Sequence, residues 1–400
     1  MDNKRALFFI LLTLFIDAVG VGITFPMMPA LMERVGAENL ASGAIWAGLL
    51  MSIYAGAQFL FGPAVGALSD AIGRKPVLIA AMAVLALDYL IMATTSSYWL
   101  LFAARFTAGM AGATYVTATA YLADISPPDQ RAARFGLVGA VFGLGFVLGP
   151  AIGGLLSTIS VSAPFWVAAA VSAGNALLGI WVLRESLDKG KRRKVTRSDL
   201  NPFSAITAAL RLPGVGVFLV VLAVFEFANM VYPTLWAFWG AARFGWDILM
   251  IGVSLGAYGL GVALVQALVL PPLVARLGEG RVAMIGLVTG AVAAALFGVV
   301  AAPIVVFALI PFACLSDMLP ASLTGLMSQR VDEDRQGLLQ GVIASLNSVA
   351  AILGPVLMTP LFRIVADEKG AFLPGAPFLV ASMIMLALIP VLRAQIKRAG

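Results

Sequence analysis

Twelve apolar runs, each long enough to cross a bilayer, fill almost the whole chain. A membrane-spanning helix needs roughly 20 predominantly apolar residues. Such runs lie near 6–31, 43–68, 76–96, 98–123, 134–158, 163–183, 213–240, 247–275, 281–301, 303–328, 337–363 and 374–393. A bilayer offers no water to exposed peptide groups, so each run is expected to satisfy its own backbone as a helix. Little of the 400 residues is left for a large domain outside the membrane. Charged residues make up 12% of the chain, against about 25% in soluble domains. A soluble enzyme is therefore excluded as the default reading. The first run reads as a span rather than a cleaved leader, because it is too long, contains Asp17 and is followed by no A-x-A site.

The net charge of +6 is explained by topology. Twenty-one of the 26 Lys and Arg fall at the two termini and in alternate loops, and the opposite loops hold only Arg34, Arg243, Arg363 and Lys369. Arg105 lies inside a span. The positive-inside rule then places both termini in the cytoplasm, and an even number of spans agrees. Nucleic acid is not an expected partner. Residues 185–212 form the longest polar break and carry Lys191, Arg192, Arg193 and Lys194. They read as a cytoplasmic basic linker between a six-helix bundle at 1–184 and another at 213–400.

A shift of 205 residues brings landmarks of the two halves into coincidence. Gly73 falls on Gly278, Asp129 on Asp334, Gly136 on Gly341 and Gly149-Pro150 on Gly354-Pro355. Both halves start on the same side, so the repeat is parallel. Two six-helix halves related by an axis along the membrane normal form a transporter architecture with its site near the midplane. No histidine is present, which removes imidazole proton relays and His-ligated metal sites. The single cysteine, Cys314, reads as a small buried hydrophobe. No cofactor or metal is expected. A membrane enzyme or sensor finds no catalytic constellation here.

Three stretches carry motifs. The loop after the second span reads Gly66-Ala-Leu-Ser-Asp70-Ala-Ile-Gly73-Arg74-Lys75. Gly73 permits a tight reversal, and Asp70 can bond Arg or a helix N-terminus. Asp70, Gly73 and Arg74 are thus candidates for a conformational latch. In the fifth span Gly139, Gly143, Gly145, Gly149 and Gly153 recur near spacings of four, with a bend at Pro150. Such spacings let backbones touch. In the fourth span a buried Arg105 precedes Gly109 and Gly112.

The first stretch resembles the cytoplasmic signature of the major facilitator superfamily, except that Ala71 stands where that signature has Arg. The glycine string resembles the superfamily's antiporter motif (Gly139, Gly143, Gly149, Pro150, Gly153), which marks exporters. A narrower resemblance, to bacterial tetracycline/proton antiporters, rests on Asp17-Ala-Val-Gly20-Val-Gly22, Pro26-Met-Met-Pro29, Tyr54-Ala-Gly-Ala-Gln58, Leu87-Asp88-Tyr89-Leu90, Arg243-Phe-Gly-Trp246 and Gln336-Gly337. It runs over nearly the whole chain. It implies an all-α fold of twelve helices in two pseudo-symmetric bundles, located in the bacterial cytoplasmic membrane. The chain departs from that pattern in its second half. No acid lies between residues 280 and 316, where those antiporters carry Asp in the ninth span, and Glu226 and Asp317 are outside the pattern.

A charge at the bilayer centre costs about 3 kcal/mol on insertion scales, so charges inside spans mark function. Asp17 shares a face with Gly20, Thr24 and Met28 and is expected to couple protons, together with Asp88 and Arg105. Arg105 cannot deprotonate; its expected partner is Asp17 or a carbonyl of the first span. Tyr54 and Gln58, one turn apart, are expected to line a substrate cavity. So are Glu226, Asn229 three residues on, Trp236 and Asp317, whose acids and rings suit a cationic drug. Asp124 reads as structural. The expected function is proton-coupled export of small amphipathic drugs, with tetracycline-like compounds as candidates. The partners are that substrate, protons and the bilayer, and the protein is expected to act as a monomer. The alternative is a symporter importing a metabolite, against which the fifth-span motif argues.

Overall fold

The computed structural model describes residues 3–112, 114–127, 130–193, 195–196, 200–203, 214–332, 335–366 and 372–399. Asp129, Asp334, Lys194, Lys369 and all of 204–213 lie outside them. The described chain is helical: α1 Asn3–Arg34, α2 Leu40–Ile72, α3 Arg74–Thr94, α4 Tyr98–Ala111, α5 Thr114–Ile125, α6 Arg131–Ser157 and α7 Ala163–Val182. The second half continues with α8 Gly216–Asn229, α9 Val231–Phe244, α10 Ile248–Leu264, α11 Leu270–Leu277, α12 Glu279–Val299, α13 Pro303–Cys314, α14 Met318–Ser328, α15 Gln336–Val365 and α16 Ala376–Ala399. Among the described residues, eleven helical runs are long and apolar enough to cross a membrane. The fourth expected span is present as the shorter pair α4 and α5, interrupted at Gly112.

Prolines explain the other interruptions. A proline lacks the N–H that would bond the carbonyl four residues earlier. Pro233 frees the carbonyl of Asn229, where α8 gives way to α9. Pro271 and Pro272 follow a π-helical stretch at Val265–Val269. Pro320 frees the carbonyl of Ser316, inside a 3-10 turn at Leu315–Asp317 between α13 and α14.

The 205-residue repeat extends to the elements themselves. The starts of α3, α4 and α6, at Arg74, Tyr98 and Arg131, correspond to those of α12, α13 and α15, at Glu279, Pro303 and Gln336. Gly73 and Gly278 both precede their helices with positive φ, at 115° and 79°. With ψ of 160° and 156°, they occupy a region open essentially to glycine alone. The interruption at Gly112 falls on Asp317.

The helices form two compact units. One comprises residues 1–37, 53–202 and 248–253; the other comprises 38–52, 203–247 and 254–400. In the first unit α1 packs most extensively on α6, and α3 on α7. Its core joins Phe9, Ile10 and Leu14 of α1 to Leu78, Met82, Tyr121 and Leu122. In the second unit α12 packs on α16 and α14, and α8 on α16 and α15. There Val265, Val282, Ile310, Cys314 and Met318 form a buried cluster.

Candidate functional site

Asp17 sits on α1 between Ile16 and Ala18, halfway along a helix built of apolar residues. Its Oδ1 is buried with no hydrogen-bond partner among the described residues. The carboxyl borders a cavity of about 10 Å³ lined also by Thr13, Met82, Thr114, Ser172 and Asn175. That is near the lower limit for holding one water. The hydroxyls of Tyr54 and Tyr89 lie within its electrostatic reach. Gly20, one turn on, leaves room for Tyr89, whose ring a Cβ there would strike. Thr13 and Asn175 are already engaged: the Asn175 amide donates to Thr13 Oγ1 at 3.0 Å.

Arg105 does not pair with Asp17. Its Nε donates to Asp88 Oδ1 at 3.0 Å, and its Nη2 closes a second contact on Asp88 Oδ2. This corrects the expected partner. A guanidinium presents a planar fork that one carboxylate can fill with two parallel bonds, and α3 delivers Asp88 to α4, where a main-chain carbonyl of α1 could accept only singly. Both side chains are buried, at 8% and 1% exposure. The Arg105 guanidinium also stands over the Tyr54 ring, 5.1 Å from its centroid. Asp17, Asp88, Arg105 and Tyr54 are therefore brought together in one unit, with Asp17 the carboxylate left unpaired.

Gln58 lies one turn beyond Tyr54 on α2, and its amide donates to the carbonyl of Gly112 at 3.0 Å. It thereby satisfies a backbone acceptor freed by the interruption between α4 and α5. Gly109 lets α4 approach α2 so closely that a Cβ would strike the Tyr54 carbonyl.

In the second unit Glu226, Asn229 and Asp317 are half-buried. The Tyr258 hydroxyl donates to Asp317 Oδ2 at 2.5 Å. The Tyr258 ring stacks on Tyr232, with centroids 6.3 Å apart and planes 15° from parallel. Asn229 Oδ1 is buried without a hydrogen-bond partner among the described residues. Trp236 is placed differently. It is 5% exposed, packs among Trp239, Phe297 and Phe378, and donates its indole N–H to Ser254 at 2.8 Å. Tyr258 was not singled out by the sequence. An uncharged residue in an apolar run gives no signal until its acid partner, 59 positions away, is placed beside it.

The loop between α2 and α3 is bound to the linker. Arg74 contacts Asp70 and donates to Asp124 at 3.4 Å, while Arg193 donates to Asp70 at 2.6 Å. Glu185 accepts the backbone N–H groups of Arg74 and Lys75, at 2.8 and 3.3 Å, where a carboxylate also complements the helix dipole. Asp70, Gly73 and Arg74 are thus together, joined by Glu185 and Arg193, which sequence spacing could not indicate.

The glycines of α6 separate into two sets. A Cβ on Gly145, Gly149 or Gly153 would stand 2.7 Å from Ala18 Cβ, 2.6 Å from the Val19 carbonyl or 3.2 Å from the Ile23 carbonyl. Pro150 belongs to the same face, beside Gly22 of α1. Gly139 and Gly143 meet nothing within 4 Å. Among the described residues no cluster of His, Cys, Asp and Glu suits a metal ion.

A family model described as Major Facilitator Superfamily matches residues 10–355. The chain is 37% identical over 394 residues to a tetracycline resistance protein, class C, of Escherichia coli, covering 98% of both chains. It is 35% identical over 388 residues to the class E protein of the same organism, covering 96% of this chain and 95% of that one. The fold is similar to the crystal structure of the human organic anion transporter MFSD10, with a TM-score of 0.70, 22% identity and 98% and 100% of the two chains covered.

Proposed function

Because the chain belongs to the Major Facilitator Superfamily, we propose that it is a proton-driven antiporter that exports small amphipathic drugs, tetracyclines among them. It is a transporter and a multi-pass protein of the bacterial inner membrane. The observation that carries the proton-coupled mechanism is Asp17: a carboxyl in mid-span, unpaired, beside a fully paired Asp88–Arg105 couple. The paired acid already has its counter-charge, whereas the unpaired one is left available to exchange a proton.

Coupling follows if proton and substrate have different affinities in the two access states. In the outward state Asp17 takes a proton; in the inward state it loses the proton, and the halves at 1–184 and 213–400 present their sites to the opposite side. Tyr54 positions Arg105 through its ring. Glu226, Asn229 and Asp317 receive the substrate, and Asp70, Gly73 and Arg74 latch the cytoplasmic side. One charge crossing 100 mV supplies about 2.3 kcal/mol, enough for more than a tenfold gradient. Both termini lie in the cytoplasm, and the chain works as a monomer.

The test is tetracycline uptake into proteoliposomes under an imposed pH gradient, with and without magnesium. Gradient-dependent uptake is expected, and Asp17→Asn is expected to abolish it while retaining a monodisperse fold. Normal concentrative uptake by that variant removes Asp17 from the role. Accumulation of drug by inverted vesicles separates export from metabolite import.

A further inference from the structure

The start of α1 and the end of α7 enclose a groove that the transport mechanism does not use. A cavity of about 350 Å³ opens between them, within the range of about 300–1,000 Å³ typical of small-molecule sites. Lys4, Phe8 and Leu12 follow at spacings of four on α1 and so form one stripe along its face. Leu178 and Val182, one turn apart on α7, supply the opposite wall. Phe9 forms the floor. It is 2% exposed, and Gly179 lets α7 settle on it, since a Cβ there would stand 3.0 Å from the Phe9 ring. Apart from Lys4 and Arg5, which stand where α1 begins, the lining is apolar. From Lys4 to Leu12 the helix rises about 12 Å, most of one leaflet's half of a hydrocarbon core about 30 Å thick.

We propose that this groove holds one anionic phospholipid, with an acyl chain along Phe8, Leu12, Leu178 and Val182 and its phosphate against Lys4 and Arg5. Its assignment to the cytoplasmic leaflet rests on the cytoplasmic N-terminus of the reading above; the binding itself does not.

Charge complementarity selects the occupant. Among the described residues no carboxylate pairs with Lys4 or Arg5. Other cations of this unit are already engaged. Lys75 donates to the Ile180 carbonyl at 2.8 Å, and Arg74 is held by Asp70 and Asp124. Glu185, three residues beyond Val182, accepts the backbone N–H groups of Arg74 and Lys75. Two uncommitted cations at the end of an apolar trough match a ligand with an anion at one end and hydrocarbon at the other. Basic pockets between membrane helices on the cytoplasmic side suit anionic head groups in this way. A zwitterionic head group brings its own ammonium towards Lys4 and Arg5 and gains less. A cationic drug is repelled by them.

The full-length protein is purified in detergent, depleted of lipid, and titrated with dioleoyl phosphatidylglycerol or dioleoyl phosphatidylcholine. Native mass spectrometry counts the lipids retained, and the melting temperature is followed in parallel. One phosphatidylglycerol is expected to be retained at concentrations where phosphatidylcholine is lost, and to raise the melting temperature by mass action. The double variant Lys4→Gln with Arg5→Gln changes only exposed side chains and is expected to fold. It is expected to bind phosphatidylglycerol roughly tenfold or more weakly, with phosphatidylcholine unaffected. Lys189→Gln with Arg393→Gln removes the same charge from other exposed positions and is expected to bind normally. Leu178→Trp fills the trough from an exposed position and is expected to exclude the lipid. Equal retention of the two lipids, unchanged binding by the Lys4 and Arg5 variant, an equal loss in the control pair, or full binding by Leu178→Trp each overturns the site. Tetracycline displacing the lipid would give the groove to a drug, and a dimer that Leu178→Trp dissolves would give it to a second copy; either result also overturns it. None of these readouts needs transport. Tetracycline uptake without selective lipid binding refutes this site alone, and lipid binding without uptake refutes the exporter reading alone.

Discussion

At the scale of single residues, the decisive contrast is between a paired and an unpaired carboxylate in one unit. Asp88 is 1% exposed and its oxygens face Arg105. Breaking a buried pair by removing one partner typically costs about 3–5 kcal/mol, because the other charge is stranded. Arg105→Ala is expected to destabilise the protein by about that amount in denaturant unfolding in detergent. The double variant Asp88→Asn with Arg105→Gln is expected to lose clearly less than the two single changes summed, since neither charge is stranded. Additive losses would show that the pair is not coupled. The sequence showed that these residues were exceptional, because charges inside apolar runs stand out. It could not show who pairs with whom. Asp17 and Asp88 are equally acidic on paper, and the choice follows from how closely α3 and α4 pack. The same limit hid Tyr258 and Glu185, whose partners are 59 and 111 positions away.

At the scale of elements, apolar length made most of the helices legible, since a bilayer permits few alternatives to a helix, but the interruptions associated with Pro233, Pro271 and Pro320 were not read from it. The fourth span was harder. Its composition is that of a continuous helix, and only Gly109 and Gly112 hint that it gives way where Gln58 supplies a substitute hydrogen bond. The glycine string of α6 was legible as a packing motif, but its two faces were not. Spacing by four holds within Gly139–Gly143 and within Gly145–Gly149–Gly153, yet the two sets are centred about 100° apart on a helix of 3.6 residues per turn. Only the second set touches α1. Gly149→Ala must force a Cβ against the Val19 carbonyl and Gly22, and overpacking of this kind costs about 1–3 kcal/mol. Gly139→Ala and Gly143→Ala enter open space and gain helix propensity, worth up to about 1 kcal/mol. Melting temperatures in detergent are expected to fall for Gly149→Ala and to hold or rise for the other two. A drop for Gly139→Ala would mean that its face is covered by something beyond its own unit.

At the scale of the whole molecule, the strongest regularity is that basic residues occupy alternate loops while the two halves repeat every 205 residues. The charge bias predicts that the linker lies on the cytoplasmic side. The chain makes this easy to test, because its only cysteine, Cys314, is 0% exposed and gives no background to surface labelling. Ser160 lies in the exposed connection between α6 and α7, and Lys189 in the exposed linker beyond α7. Ser160→Cys is expected to react with a membrane-impermeant maleimide in intact cells. Lys189→Cys is expected to react only after permeabilisation. The reverse pattern would invert every assignment of side, including the latch around Asp70 and the direction in which Asp17 takes and gives its proton. Labelling of both positions from one side would be more damaging. A single helix, α7, separates them, and its 20 residues cross a bilayer once. Two reactive sites on one face would mean that α7 does not span, and the parallel repeat would lose its sixth helix.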